Sequence, residues 1–153
     1  MRLEDEIKSS FGSEYHKLEV NILYTQYFRG QRIQQVMKPF GLTTQQYNIL
    51  RILRGQRPNP ANVNLLIERM MDKMSNASRL VDKLCAKGYV QKTVNPKDKR
   101  NADIVITDSG LDLIDELEPL INAHINQLKI LSEEEAIHLN FLLDKLRDGG
   151  ERD

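Results

Sequence analysis

Ser75-Asn76-Ala77-Ser78-Arg79-Leu80-Val81-Asp82-Lys83-Leu84-Cys85-Ala86-Lys87-Gly88-Tyr89-Val90-Gln91-Lys92-Thr93-Val94 changes its apolar period partway along. Leu80, Val81 and Leu84 recur at helical spacing, and Gly88 stands where a left-handed residue closes a helix. Beyond it Val90, Lys92 and Val94 alternate, as do Ile104 and Ile106, with Asn95-Pro96-Lys97-Asp98 between them as a turn. A helix from about Ser75 to Lys87 followed by a β-hairpin is predicted. Upstream, Leu65, Leu66, Arg69 and Met70 suggest a short helix, and Met71 to Met74 leave only a tight connection between the two. Two short helices meeting sharply, then a hairpin, make a winged helix-turn-helix.

Working outward, Thr43-x-x-Gln46 has the form of a capping box ahead of Tyr47, Leu50 and Leu53, which predicts a further helix of about three turns. Pro58 and Pro60 force the loop that ends it. Val20, Leu23, Tyr24 and Tyr27 mark one face of a long first helix, which Ile7, Phe11 and Leu18 extend toward the amino terminus; a short helical piece is expected between Gln31 and Met37, ahead of Lys38-Pro39-Phe40-Gly41. After the hairpin, Thr107 or Asp108 caps a helix with Leu113, Leu117, Leu120, Ile121, His124 and Leu128 in a stripe. Ser132-x-x-Glu135 is a second capping box, opening a last helix with Ala136, Leu139, Leu143 and Leu146 along one side. Those stripes are wide enough to need more than one neighbour.

The chain has 153 residues, 22 basic and 22 acidic side chains, one Cys and no Trp. One domain with helical extensions is expected, large enough for a core without disulfides. Neutrality on average hides a division: residues 30–69 and 70–101 each carry a net charge of +5, and residues 108–153 carry −8. A basic face is thereby set apart from an acidic helical region. Lone Cys85 has no bridging partner, and its place beside Leu84 suits a small buried hydrophobe in a reducing, cytoplasmic setting. The amino terminus, Met1-Arg2-Leu3-Glu4-Asp5-Glu6, is too acidic for a signal peptide, and no apolar run approaches membrane-spanning length, so no membrane association is expected. His16, His124 and His138 lack companion ligands, so neither metal nor cofactor is expected. Nucleophile elbows, glycine-rich phosphate loops and paired carboxylates are not seen, and enzymatic activity has no evident seat.

A positively charged hairpin beside a polar helix start points to double-stranded DNA. The major groove admits an α-helix, and Asn pairs with adenine and Arg with guanine through two hydrogen bonds. The candidate DNA-binding residues are Lys73, Ser75, Asn76, Ser78, Arg79 and Lys83 on the helix side, with Lys97, Lys99 and Arg100 at the hairpin tip for phosphate or the minor groove. The rival reading is a helical adaptor whose basic segment binds an acidic protein, which has no need of a basic hairpin.

Ala77-Ser78-Arg79-Leu80-Val81-Asp82-Lys83-Leu84, Lys87-Gly88-Tyr89-Val90, Asn95-Pro96-Lys97-Asp98-Lys99-Arg100 and Ile104-x-Ile106-Thr107-x-x-Gly110 together resemble the signature of the multiple antibiotic resistance regulator (MarR) family of bacterial repressors. Leu42-Thr43-x-x-Gln46-Tyr47-x-Ile49-Leu50 also resembles the family's helix before the motif, so the likeness covers nearly the whole chain. The resemblance implies a mainly α fold with a small β wing: residues 31–107 as the winged helix-turn-helix, and residues 1–30 and 108–153 as helices that intertwine with a second subunit. It further implies Asp98 as the residue that structures the wing, Arg100 as its minor-groove probe, and a homodimeric repressor of a palindromic operator. By the same resemblance a small aromatic or amphipathic effector lodges between dimer helices and winged domain, with Tyr15, Tyr24, Tyr27, Phe28, Phe40 and Tyr47 as candidate lining. The family's redox-sensing branch carries its reactive Cys near the amino terminus, where this chain has none. The chain departs from the family in the motif's first helix, where Leu66-Ile67 replaces the usual Leu-Ala, and in its turn, where Met71 replaces the usual Gly.

Overall fold

The computed structural model of the protein describes residues 2–95 and 102–148. Contacts divide the chain into two compact units, Met1–Leu117 and Glu118–Asp153. Among the described residues no helix is long and apolar enough to cross a membrane, and no group of three His, Cys, Asp or Glu side chains could hold a metal ion.

The amino-terminal helix is not the single run that Ile7, Phe11 and Leu18 suggest. A short α1, Leu3–Ile7, ends at Lys8 in the left-handed region (φ 50°), and α2, Glu14–Met37, begins afresh. Ser13 caps it by accepting His16 N–H at 3.2 Å. The separate piece expected at 31–37 is the continuous end of this helix, which at 24 residues is about 36 Å long. A 3₁₀ turn, Lys38–Phe40, follows, and Gly41 (φ 62°) takes the left-handed conformation that a side chain would resist. Met37, 1% exposed, is the residue by which α2 enters the core; Tyr15, Leu18, Leu23 and Tyr27 on the same helix stay exposed.

The winged unit is built around α3, Thr44–Gln56. Its capping box is complete: Gln46 N–H donates to Thr43 Oγ1 at 3.2 Å and Thr43 N–H to Gln46 Oε1 at 3.1 Å. Ile49, Leu50 and Leu53 are buried on one face. Asn62 then caps α4, Val63–Arg69, by accepting Leu65 N–H at 2.9 Å. The third member is α5, Ala77–Ala86, two residues shorter at its start than the sequence suggests because Asn76 is its cap. Gly88 (φ 77°) turns the chain out of it into β1, Val90–Val94, which pairs antiparallel with β2, Ala102–Ile106, in the register Val90↔Ile106 to Val94↔Ala102. The tip between the strands, Pro96 to Asn101, lies outside the described residues. Ala61 adds a bridge that alternation does not reveal, exchanging N–H···O bonds of 2.9 and 2.8 Å with Ile104.

Leu66, Val81, Leu84, Ile104, Ile114 and Leu117 are all essentially inaccessible to water and join Ile49 and Leu50 in one core. Burying each such side chain contributes roughly 1.5–3 kcal/mol, which holds three short helices that would not persist alone.

Thr107 opens α6, Asp108–Asn126, by accepting Gly110 N–H at 3.1 Å, and the division between the two units falls beside Pro119 within that helix. In the second unit a 3₁₀ turn, Gln127–Ile130, leads to α7, Glu133–Asp148. Its capping box also forms, with Ser132 N–H donating to Glu135 Oε2 at 2.8 Å and Glu135 N–H to Ser132 Oγ at 3.2 Å. Three glutamates at its start and Lys145 and Arg147 at its end suit the helix dipole. Ile137, Leu139, Phe141, Leu142 and Leu146 are exposed along it.

Candidate nucleic-acid interface

Helix α5 is divided by its own periodicity. Ala77, Val81 and Leu84, four and three residues apart, face the core and are at most 2% exposed. Ser78, Arg79, Asp82 and Lys83 face water. Among the described residues the side chains of Ser78, Arg79 and Lys83 have no hydrogen-bond or ion-pair partner, so a hydroxyl and two cations on the outer face are available to a ligand. Asp82, the neighbour that could have neutralised Arg79, instead accepts Lys92 Nζ from β1 at 3.1 Å. That pair ties the wing to the helix and leaves Arg79 outward.

The start of the helix is fastened by local chemistry. Asn76 Oδ1 accepts Arg79 N–H at 3.0 Å, which occupies one of the two groups that a bidentate adenine contact needs. Ser75 Oγ donates to Asp72 Oδ2 at 2.6 Å, and Met74 N–H donates to Asp72 Oδ1 at 3.1 Å. The Ser75 hydroxyl, with help from the Met74 and Ser75 backbone N–H groups and the Gln45 amide, holds the Asp72 carboxyl below the usual carboxylate range. From α3, Asn48 Oδ1 accepts Met71 N–H at 3.1 Å. Asp72 and Asn48 therefore set the turn between α4 and α5, and neither belongs to the motifs that point to DNA. The Asp72-x-x-Ser75 spacing, a side-chain-to-backbone turn signal, carries that information.

Thr43, Gln45, Ser75, Asn76, Arg79, Leu80 and Lys83 line an open cleft of about 310 Å³ between the start of α3 and α5. Four of the candidate DNA-binding residues, Ser75, Asn76, Arg79 and Lys83, thus share one cleft; Ser78 and Lys73 are exposed beside it. Thr43 and Gln45 join them, although Thr43 reads from sequence only as a cap. Lys97, Asp98, Lys99 and Arg100 lie outside the described residues. The wing's near end is fixed by Asn95 Nδ2, which donates to Asp103 Oδ1 at 2.7 Å.

Cys85 is half-buried, and burial, reinforced by the Asp82 charge, pushes its thiol up. It is kept as a thiol and is a poor nucleophile. The effector candidates are scattered. Tyr24 and Phe28 stack at 6.4 Å, and the Arg32 guanidinium lies 4.2 Å over the Phe28 ring. Tyr24 Oη donates to Glu6 Oε2 at 3.1 Å. Tyr15 and Tyr27 are 86% and 63% exposed, whereas Tyr47 is buried with its hydroxyl unpartnered among the described residues. None of the six borders the cleft on α5.

Residues 40–101, from the end of the 3₁₀ turn to the wing, match the model of the MarR family. The multiple antibiotic resistance protein MarR of Escherichia coli is 24% identical over 117 residues, 74% of this chain and 79% of that one. A mutant of it complexed with operator DNA has the same fold, with a TM-score of 0.77 at 23% identity, covering 90% of this chain and 99% of that chain. BpsR of Bordetella bronchiseptica, whose DNA binding is regulated by 6-hydroxynicotinic acid, matches at a TM-score of 0.72 and 18% identity over 86% of this chain and 98% of that chain. A MarR transcription factor from Planctomyces limnophilus is 30% identical, with a TM-score of 0.61, and the match covers 89% of this chain and 97% of that chain. With the helix-turn-helix, the antiparallel wing and this likeness over nearly its full length, the chain belongs to the MarR family of DNA-binding transcriptional regulators.

Proposed function

We propose that the protein is a homodimeric repressor that binds a near-palindromic operator and is released from it by a small aromatic or amphipathic effector. The observation that carries this reading is the outer face of α5, where Ser78, Arg79 and Lys83 stand exposed and unpartnered among the described residues while the opposite face is locked in the core. An Arg held so reaches guanine O6 and N7, and Lys73 and Lys83 supply the phosphate attraction that sets the register. Lys97, Lys99 and Arg100, with Asp98 shaping the loop, extend the same contact from the wing. Ser75 and Asn76 belong to it chiefly by setting the first turn of α5.

Residues 31–107 are assigned as the reader and residues 1–30 and 108–153 as the dimerisation region. The exposed apolar side chains of α2 and α7, among them Leu23, Tyr27, Phe141 and Leu142, support that division, since monomers rarely leave so many uncovered. Two-fold symmetry then places two α5 helices about 34 Å apart in successive major grooves and requires a palindrome. The acidic surplus of residues 108–153 keeps that region off DNA. The effector's place is assigned near Tyr24 and Phe28, whose stacked rings suit a flat ligand; Tyr15, Tyr27, Phe40 and Tyr47 are its further candidates. The E. coli relative complexed with operator DNA and the Bordetella relative regulated by 6-hydroxynicotinic acid support both halves of the reading. Release requires only that the effector prefer the state that cannot span two half-sites. The reading assigns no catalytic step.

Selection from a random duplex pool, with sedimentation of the same preparation, tests it. A dimer enriching a palindrome is the expected result; a monomer, or a pool that stays random, would overturn it.

A further inference from the structure

The turn between α4 and α5 carries two thioethers with almost nothing around them. Met71 is 94% exposed and Met74 95%, whereas Met70, one residue earlier, is 3% exposed and packs in the core. Neither exposed residue sits on loose backbone. Met71 N–H is held by Asn48 Oδ1 and Met74 N–H by Asp72 Oδ1, each at 3.1 Å. Side-chain acceptors from α3 and from the turn itself thus fix the places from which two uncovered apolar chains project. Apart from the buried Met70, their neighbours in sequence, Asp72, Lys73, Ser75 and Asn76, are all polar. Met74 also directly precedes Ser75, which lines the cationic cleft with Arg79 and Lys83.

We infer that Met71 and Met74 are specificity residues that read thymine 5-methyl groups in the major groove. This rests on the DNA-binding reading above and adds to it the recognition of A·T pairs. The thymine methyl is the one apolar feature on the major-groove edge of a base pair, and it is recognised by apolar contact. A methionine side chain, unbranched and polarizable, fits such a contact without demanding one geometry. Lys73, between the two, offers a phosphate contact that would hold the turn against the groove. Just before α5, Asn76 Oδ1 is committed to its cap and Ser75 Oγ to Asp72, so neither side chain offers its full set of groups to an A·T pair.

The experiment uses the full-length protein and its selected operator, with each thymine replaced singly by deoxyuridine, which removes only the methyl. Wild type is expected to bind roughly fourfold more weakly at one or two positions in each half-site, the loss of one buried methyl contact. Met71→Ser and Met74→Ser are expected to bind the thymine operator more weakly and to be indifferent to deoxyuridine at those positions. Both variants should keep the wild-type melting temperature, since the turn is held through its backbone. Operator binding by wild type with no deoxyuridine effect anywhere would overturn the inference while leaving the DNA reading intact, as would variants that retain the full penalty. Dissociation of either variant to monomer would also overturn it, by placing the methionines between copies of the chain. If no duplex is enriched at all, the DNA reading fails and this inference with it.

Discussion

Thr107 Oγ1 donates to the Gly88 carbonyl at 2.7 Å and accepts Gly110 N–H at 3.1 Å. One hydroxyl therefore fastens the residue that closes α5 to the first turn of α6, at the point where the wing's second strand ends. Thr107→Val keeps the shape and removes both bonds, so it should cost about 1–2 kcal/mol, read as a lower urea midpoint with an unchanged slope. Thr107→Ser should restore most of the loss.

Gly110 is required by space rather than by conformation. A Cβ there would stand 2.3 Å from the Tyr89 carbonyl oxygen and 2.7 Å from Ile106 Cγ1, and the backbone atom cannot yield. Gly110→Ala should destabilise by about 3 kcal/mol despite the better helix propensity of alanine. Thermal unfolding decides this, and a melting temperature at or above wild type would mean the α6 start is not packed on Tyr89 as described.

Asn76 can be separated into a cap and a DNA neighbour. Asn76→Ala removes the acceptor for Arg79 N–H and should lower stability by about 1 kcal/mol. Asn76→Asp preserves the cap and favours the helix dipole, so stability should hold or rise. The same carboxylate beside Arg79 and Lys83 should weaken DNA binding severalfold, which paired melting and gel-shift measurements would register as opposite signs.

The Asp72 carboxyl titrates below its ordinary value because the Ser75 hydroxyl and the turn's N–H groups favour its charged form. A lowered folded-state pKa means its contribution is complete above the unfolded carboxylate range and is lost as pH falls through the folded value. Asp72→Asn should therefore be less stable than wild type at neutral pH, with the gap narrowing on acidification. Denaturation midpoints of both proteins from pH 7 to pH 3 check the sign, and a gap that widens toward acid would contradict it.

Much of this fold is legible where local chemistry and burial agree. The capping boxes at Thr43 and Ser132, the left-handed Gly88 and the change of period at Tyr89 all specify structure within a few residues, and each forms. Where one signal must be extrapolated, it fails. Ile7, Phe11 and Leu18 look helical in phase with α2, but Ser9 to Gly12 cannot sustain a helix between them. Leu80, Val81 and Leu84 fix the phase of α5 but not its first residue; Ser75 and Asn76 both suit a helix start, and only the Asn76 contact with Arg79 N–H decides which of them caps. The Ala61 bridge to Ile104 joins residues 43 apart, and alternation within a strand carries no information about such a partner. For the site, Arg79 and Lys83 follow from the helix's apolar phase, whereas the roles of Asn48 and Asp72 depend on how α3 meets the turn.

Arg79 bears the central claim, that the outer face of α5 reads base sequence. Competition binding on the selected duplex and a scrambled one, at two salt concentrations, measures it for wild type and Arg79→Ala. The variant should lose about 1–3 kcal/mol of preference for the selected duplex while keeping most of its affinity for the scrambled one. Equal loss on both duplexes, accompanied by a shallower salt dependence, would reduce Arg79 to a phosphate contact and contradict the claim.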